Sequence, residues 1–127
     1  MRVLLVDDHA MLRQALSAAL DGEADMEVIG EAANGRAAVE QADRLHPDIV
    51  LMDINMPVMN GVDATHAIHA THPEVCIIVL SMHEGLRATM REAGAVGYVT
   101  KSAAPEELLA VMRGCYARLR EELPPAA

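Results

Sequence analysis

The chain has 127 residues, of which 52% are hydrophobic, and 19 acidic against 10 basic side chains give it a net charge of −9. This length can bury a sizeable core, so we expect one domain that needs neither a disulfide nor a structural metal. The acidic charge argues against direct binding to nucleic-acid phosphates, and no apolar run is long enough to span a membrane.

Short apolar segments alternate along the chain with segments of helical period. The predicted strands are 3–6, 26–32, 49–52, 75–80 and 97–100, and most are apolar on successive residues, which is typical of buried parallel strands. Five helices are predicted. The first carries an apolar stripe over 12–20, and Asn34 caps the second. The third and fourth span 61–71 and 84–93, and the fifth begins at Pro105. Strict alternation indicates the α/β class, a parallel sheet with helices on both faces. We assign residues 1–120 to this domain and 121–127 to a tail or the start of a linker.

Polar side chains follow four of the predicted strands. Asp7 and Asp8 follow the first, Asp53 the third, Ser81 the fourth and Lys101 the fifth. Each alone is explained as a helix cap, a turn residue or a solvated lysine. In an open parallel sheet, however, ligands bind beyond the carboxyl ends of the strands, so the set together predicts one site.

The acidic members of this set predict a cation site. Two carboxylates about 5 Å apart repel each other by roughly 3 kcal/mol at an effective dielectric constant of 20. An all-oxygen site of this kind suits Mg²⁺, so Asp7 and Asp8 are interpreted as its seat. Asp53 is then the candidate nucleophile toward phosphorus, with Lys101 supplying positive charge and Ser81 a hydrogen bond to the phosphoryl oxygens.

Four motifs carry a resemblance to a known family: "VLLVDDH", "DIVLMDINMPVMNG", "VLSMH" and "GAVGYVTKS". In this order and strand context the chain resembles a response-regulator receiver domain over residues 2–119. The resemblance implies a flavodoxin-like, CheY-like doubly wound (βα)5 fold with strand order 2-1-3-4-5. It also implies that Asp53 accepts a phosphoryl group from the phosphohistidine of a sensor histidine kinase.

The metal ligands are implied by the same resemblance. Asp8, Asp53 and the main-chain carbonyl of Asn55 would bind Mg²⁺, or Mn²⁺ in its place, and Asp7 would assist through water. No other cofactor is expected.

The resemblance also implies a conformational switch. Lys101 would bind the phosphoryl group, Ser81 would be the switch hydroxyl and Tyr98 the switch aromatic. The face formed by the fourth helix, fifth strand and fifth helix would then be reshaped. The segment from Ser81 to Lys101 is about two residues shorter than is usual in the subgroup that the chain resembles most, and this departure lies in the region that would carry the switch.

That subgroup is NarL/FixJ/LuxR, which "DDHAMLRQAL" and "GAVGYVTKSAAPEELLAVMRG" resemble most closely. Its members usually carry a C-terminal helix-turn-helix domain that binds DNA. We therefore expect the protein to regulate transcription through a domain that is absent from this chain. The receiver itself is expected to contact neither DNA nor a membrane, and a homodimer that forms on phosphorylation is compatible with this expectation. Cys76 and Cys115 lie in apolar contexts without CxxC spacing, which predicts reduced thiols and a cytoplasmic protein.

Two other functions remain open from the sequence. A haloacid-dehalogenase-like phosphatase also uses a strand-end Asp and Mg²⁺, but that family has Asp-x-Asp where this chain has Asp53-Ile54-Asn55. A receiver that binds partners without switching is the second alternative. In the preferred interpretation the chain is not a turnover enzyme, and catalyses only its own phosphorylation and slow dephosphorylation. His66, His69 and His72 are interpreted as a solvated helix face, because no acid accompanies them at ligand spacing.

Overall fold

The strands and helices alternate as the sequence predicts. A computed structural model describes residues 1–82 and 85–122. The strands are β1 Arg2–Val6, β2 Glu27–Ala32, β3 Ile49–Asp53, β4 Cys76–Ser81 and β5 Gly97–Thr100. The helices are α1 Ala10–Asp21, α2 Gly35–Leu45, α3 Gly61–Thr71, α4 Arg87–Ala93 and α5 Pro105–Glu122.

The five strands form one parallel sheet in the order β2-β1-β3-β4-β5, which confirms the predicted topology. Because β1, β3 and β4 are interior, their side chains are buried on both faces, whereas β2 is a mixed edge strand. The register pairs Asp53 with Leu80 and Ser81 with Thr100. The carboxyl ends of β3, β4 and β5 therefore lie at one edge of the sheet.

Two aliphatic clusters fill the two sides of the sheet. One contains Val50 and Val79 with α2, α3 and α4, and the other contains Leu51 with α1 and α5. The chain has no Phe or Trp, and fully buried methionines such as Met52 and Met112 take part in the packing. Side-chain alternation along each strand explains why successive residues enter opposite clusters.

The boundaries differ from prediction mainly around α4. The expected helix over 84–93 begins at Arg87, after a turn at Gly85 and Leu86, and Glu84 lies outside the described residues. Residues 123–127 of the predicted tail also lie outside them, as does His83. Helix α5 itself continues to Glu122.

An apolar cavity of about 200 Å³ lies between α1 and α5. Small side chains line it, among them Ala15 and Ala19 of α1 and Ala103 before α5, and it reaches Lys101. Of the predicted α1 stripe, only Leu20 is fully buried, whereas Ala15 and Ala19 are exposed. None of the helices in the described part of the chain is both long and apolar enough to cross a bilayer.

Candidate functional site

The polar residues predicted to meet at the strand ends do so. Asp7 follows β1 directly, Asp53 and Ser81 are the last residues of β3 and β4, and Lys101 follows β5. The main-chain N–H of Lys101 donates to the carbonyl of Ser81 at 2.8 Å, which fixes the end of β5 against the end of β4. Sheet topology thus brings together residues that are far apart in the chain.

Lys101 joins the first and third strands electrostatically. Its Nζ lies 2.8 Å from Asp7 Oδ2 and 3.1 Å from Asp53 Oδ1. The lysine side chain is only 11% exposed, and both carboxylates are more buried still. One buried cation therefore serves two buried carboxylates, and the cluster retains a net negative charge.

The two carboxyl groups respond differently to this arrangement. Burial tends to raise the pKa of Asp7, but hydrogen bonds from Lys101 and His9 lower it below its ordinary value. Burial and the charge of Asp7 raise the pKa of Asp53, against the opposing effect of Lys101. Burial would lower the pKa of Lys101, yet its bonds to the two carboxylates raise it. Asp7 is consequently the stronger counter-ion of Lys101, and Asp53 is the carboxylate that is more easily protonated.

A second group of contacts surrounds the acid pair. His9, the N-cap residue of α1, donates its main-chain N–H to Asp7 Oδ1 at 2.8 Å. Its ring Nδ1 lies 3.0 Å from Asp7 Oδ1 and 3.1 Å from Asp8 Oδ1. The Asp8 side chain is 32% exposed, whereas that of Asp7 is 4% exposed. Asp8 is therefore the member of the pair that solvent reaches, and His9 rather than Asp8 occupies the cap position.

The donor atoms fit a divalent cation. One ligand atom from each of Asp7, Asp8, His9 and Asp53 lies within 4.8 Å of the others. This spread is close to the roughly 4.2 Å that separates opposite ligands around Mg²⁺ with bonds of about 2.1 Å. The carboxylate oxygens are the donors that Mg²⁺ prefers, and Asn55 lies in the exposed loop two residues after Asp53.

The loop after β3 holds Asp53 in place through its backbone. Asp53 Oδ1 accepts a hydrogen bond from the N–H of Ile54 at 2.9 Å, and Gly61 N–H donates to the carbonyl of Ile54 at 2.8 Å. Asn60 caps α3 by accepting from Asp63 N–H at 2.9 Å. A β-carbon at Gly61 would overlap with the main-chain oxygen of Asp53. The sequence analysis missed this role of Gly61, although the Asn-Gly pair before a helix was a signal for a tight approach.

A further residue that sequence reasoning missed is Arg13 on α1. Its guanidinium donates to the main-chain oxygen of Asp7 and pairs with Glu31 at 3.1 Å. It therefore ties the end of β1 to β2. No sequence pattern singles out this arginine, because the contact depends on how α1 returns over the sheet.

Ser81 and Tyr98, the predicted switch residues, lie on the same side of the sheet. Ser81 is buried, and it is two residues after Val79, whose register partner is Tyr98. Tyr98 is half-buried against the cluster that contains Val79 and Met90. The guanidinium of Arg87 lies 4.9 Å from the centre of its ring, a cation–π contact between α4 and β5.

Comparison with known proteins identifies similar sequences and structures. The family model described as the response regulator receiver domain matches residues 3–113. The chain is 39% identical over 120 residues to the response regulator UvrY of Escherichia coli, covering 93% of this chain and 55% of UvrY. It is 45% identical over 103 residues to a protein-glutamate methylesterase/protein-glutamine glutaminase of Idiomarina loihiensis, covering 79% of this chain and 27% of that protein.

A solved structure agrees with the fold. The two-component response regulator of the LuxR family from Aurantimonas sp. SI85-9A1 superimposes with a TM-score of 0.88 at 34% identity, covering 92% of this chain and 85% of that one. The chain spans between about a quarter and a little over half of the length of the curated relatives it matches.

Proposed function

The chain belongs to the receiver-domain family of two-component response regulators, and on this premise we propose that it accepts a phosphoryl group on Asp53 and relays the change to an output. The observation that carries this proposal is the bridge of Lys101 between Asp7 and Asp53. It sets a candidate nucleophilic carboxylate, an acidic cation site and a buried positive charge side by side. These are the components that phosphoryl transfer requires.

In the proposed transfer, an Asp53 carboxylate oxygen forms a bond to phosphorus. The bond between phosphorus and the ring nitrogen of the donor phosphohistidine breaks, and the nitrogen keeps the electron pair. The Lys101 ammonium, 3.1 Å from Asp53 Oδ1, turns toward the phosphoryl oxygens as their charge enters the site. Ser81 supplies a hydroxyl hydrogen bond to the same group.

We assign the metal ligands as Asp8, Asp53 and the main-chain carbonyl of Asn55, with Asp7 acting through water. The exposure of Asp8 and the ion pair between Asp7 and Lys101 support this division. Bound Mg²⁺, or Mn²⁺ in its place, would neutralise charge on the phosphoryl oxygens. Without such a cation, the approach of an anionic phosphoryl group to three carboxylates would be opposed by their charge.

The output side of the proposal concerns α4, β5 and α5. Phosphorylation adds about −1.5 to −2 charge beside Ser81. Ser81 moves toward the phosphoryl group, and Tyr98, on the same side of the sheet, moves inward. The shortened segment before Lys101 leaves the non-switching receiver as the alternative that experiment must exclude.

We infer a sensor histidine kinase as the phosphoryl donor and transcription regulation as the output. Similarity to a LuxR-family response regulator supports a DNA-binding output domain in a longer protein. The relative from Idiomarina loihiensis is named as a methylesterase/glutaminase rather than a transcription regulator, so a receiver domain alone does not determine the type of output. Receiver membership over residues 3–113 supports phosphoryl acceptance over the phosphatase alternative. We also propose that the protein is cytoplasmic and that it dimerises on phosphorylation.

The test is covalent labelling by a small phosphoryl donor. Incubation with acetyl phosphate and Mg²⁺ should add one phosphoryl group, seen by intact-protein mass spectrometry, and hydroxylamine should remove it. Asp53→Asn should abolish labelling, and the matched variant Asp63→Asn, which alters an exposed carboxylate on α3, should retain it. Labelling that persists in Asp53→Asn would contradict the assignment.

NMR spectroscopy tests the proposed conformational switch separately from phosphorylation. NMR spectra of the free protein and of the protein with beryllofluoride and Mg²⁺ should differ for residues 87–110. If only signals next to Asp53 change, the chain is a receiver that does not switch on this face.

A further inference from the structure

The residue after the acid pair adds a nitrogen donor to the cation site. Asp7, Asp8 and His9 occupy the three consecutive positions between β1 and α1. His9 Nδ1 lies 3.0 Å from Asp7 Oδ1 and 3.1 Å from Asp8 Oδ1. The His9 side chain is 70% exposed and, among the residues that the structure describes, gives α1 no side-chain cap. Its ring can therefore adjust to an ion without disturbing the helix.

These separations match the spacing of ligands around a small divalent ion. Ligands with bonds of about 2.1 Å are about 3.0 Å apart at right angles and about 3.4 Å apart in a tetrahedron. The two contacts of His9 Nδ1, at 3.0 Å and 3.1 Å, fall within that range. Asp53 offers a further ligand atom within 4.8 Å of the other three. An ion can thus bind Asp7, Asp8 and His9 directly after only small movements of their side chains.

The nitrogen donor changes the class of ion that this end of β1 suits best. Mg²⁺ prefers oxygen ligands and keeps several of its waters, so an imidazole adds little to its binding. Zn²⁺ binds imidazole and carboxylate together, and in its open sites three protein ligands leave the fourth position to water. Lys101 Nζ holds Asp7 Oδ2 at 2.8 Å, and this outer contact directs Asp7 Oδ1 toward His9. Two oriented carboxylates and one imidazole are a donor set for Zn²⁺.

We propose that Asp7 Oδ1, Asp8 Oδ1 and His9 Nδ1 form a Zn²⁺ site at the end of β1. This set differs from the Mg²⁺ ligands assigned above, because Asp7 binds directly, His9 joins it and Asn55 takes no part. The two sites share Asp8, so Zn²⁺ and Mg²⁺ compete for the chain. In its consequence the inference rests on the proposed function: Zn²⁺ bound to Asp8 excludes the Mg²⁺ that phosphoryl transfer to Asp53 requires.

The experiment measures metal binding to the full chain in the absence of a phosphoryl donor. Isothermal titration calorimetry gives the Zn²⁺ and Mg²⁺ affinities, and visible absorption follows Co²⁺ as a spectroscopic substitute for Zn²⁺. The test variant is His9→Gln, which keeps a polar side chain at this exposed position. The matched control is His66→Gln, at an exposed histidine of α3. NMR signals of the histidine ring nitrogens identify the residue that binds Zn²⁺.

Zn²⁺ should bind the wild-type chain at least about tenfold more tightly than Mg²⁺, and added Mg²⁺ should displace Co²⁺. His9→Gln should weaken Zn²⁺ binding about tenfold or more and Mg²⁺ binding by less than about threefold, because only Zn²⁺ uses the imidazole. His66→Gln should leave both affinities within about twofold of the wild type, since the residue is remote from the site. Zn²⁺ should shift the Nδ1 signal of His9.

Several results would overturn the inference. Equal losses of Zn²⁺ and Mg²⁺ affinity in His9→Gln would show that His9 only supports the acid pair electrostatically. The other contrary results are a Zn²⁺ affinity no higher than that for Mg²⁺, an equal loss in His66→Gln, a Zn²⁺-induced shift confined to other histidines, and Co²⁺ absorption that saturating Mg²⁺ leaves unchanged. Because no phosphoryl donor is present, failure of the Zn²⁺ site and failure of Asp53 labelling are separate results.

Discussion

Gly61 packs directly against the main-chain oxygen of Asp53, leaving no space there for a β-carbon. The contact fixes the start of α3 against the end of β3, so the candidate phosphoryl acceptor is positioned by a glycine eight residues later in the chain. Any side chain at Gly61 must move the backbone of Asp53 or of α3.

Gly61→Ala should therefore impair both stability and the site. We expect a loss of about 2–3 kcal/mol in the free energy of unfolding, the cost of overpacking against rigid backbone, and slower labelling of Asp53 by acetyl phosphate. Urea denaturation and mass spectrometry measure the two effects. Gly114→Ala is the control, because Gly114 faces open space on α5, and there alanine should add about 0.5–1 kcal/mol. Equal effects of the two substitutions would refute the packing argument.

Val58 should be replaceable by glycine with a gain in stability. Its φ of 69° is unfavourable for a β-branched residue, and Met59 N–H donates to Pro57 O at 2.8 Å, forming a strained three-residue turn. The side chain is exposed, so Val58→Gly loses little packing and should gain about 1 kcal/mol, measured by urea denaturation. Val96→Gly, at an exposed valine whose φ is not positive, should instead lose stability.

Lys101→Met should destabilise the chain in a pH-dependent way. Near neutral pH it leaves two buried carboxylates without their cation, at an expected cost of about 3 kcal/mol. In the wild type, the pKa of Asp7 is lowered, so its stabilising effect is complete above its ordinary pKa of 3.8 and is lost as the pH falls through the lower folded value.

In the variant, the folded pKa values of both Asp7 and Asp53 should rise above their unfolded values. Such groups stabilise the fold at low pH, and that effect is lost as the pH rises through the folded pKa. The difference in unfolding free energy between variant and wild type should accordingly shrink as the pH is lowered from neutrality toward about 5. Arg120→Met, which removes an exposed cation beside Tyr116, should show no such trend. A pH-independent difference would contradict the ion-pair account.

Cys76 should be unreactive in the native protein. It is fully buried, its Sγ donates weakly to the carbonyl of Cys115 at 3.6 Å, and burial raises the pKa of its thiol to about 12. In a Cys115→Ala background, a disulfide reagent at mildly alkaline pH should modify Cys76 only as urea unfolds the chain. An exposed reporter, Ser102→Cys, should react at once. Rapid native-state reaction of Cys76 would show that β4 opens locally.

The convergence of Asp7, Asp53, Ser81 and Lys101 could be predicted because alternating elements dictate a parallel sheet. Once the strands are parallel, the residues at their carboxyl ends share an edge, however distant they are in the chain. The sequence could not show that Lys101 contacts Asp7 more closely than Asp53, since that depends on side-chain rotamers and the relative stagger of strands.

The contacts that side chains make after a helix packs back onto the sheet or onto another helix could not be predicted from the sequence either. The hydrogen bond from Arg13 to the backbone of Asp7 is one example. His72 is another: it was interpreted as part of a solvated face, but it is half-buried and its Nε2 lies 2.7 Å from Asp43 Oδ1 of α2. His72 follows the last residue of α3 and has a non-helical φ of −133°, so the helical period does not give its direction, and its partner is set by the packing of α2 beside α3.

The cavity between α1 and α5 has a consequence for how the molecule responds to hydrostatic pressure. Unfilled space makes the folded state occupy more volume than its atoms require, and compression favours any state in which water enters that space. Since the cavity reaches Lys101, separation of α1 from α5 would admit water behind the lysine that bridges Asp7 and Asp53. Compression should thus perturb the end of the sheet that carries Asp53, the candidate phosphoryl acceptor, before it unfolds the strands themselves.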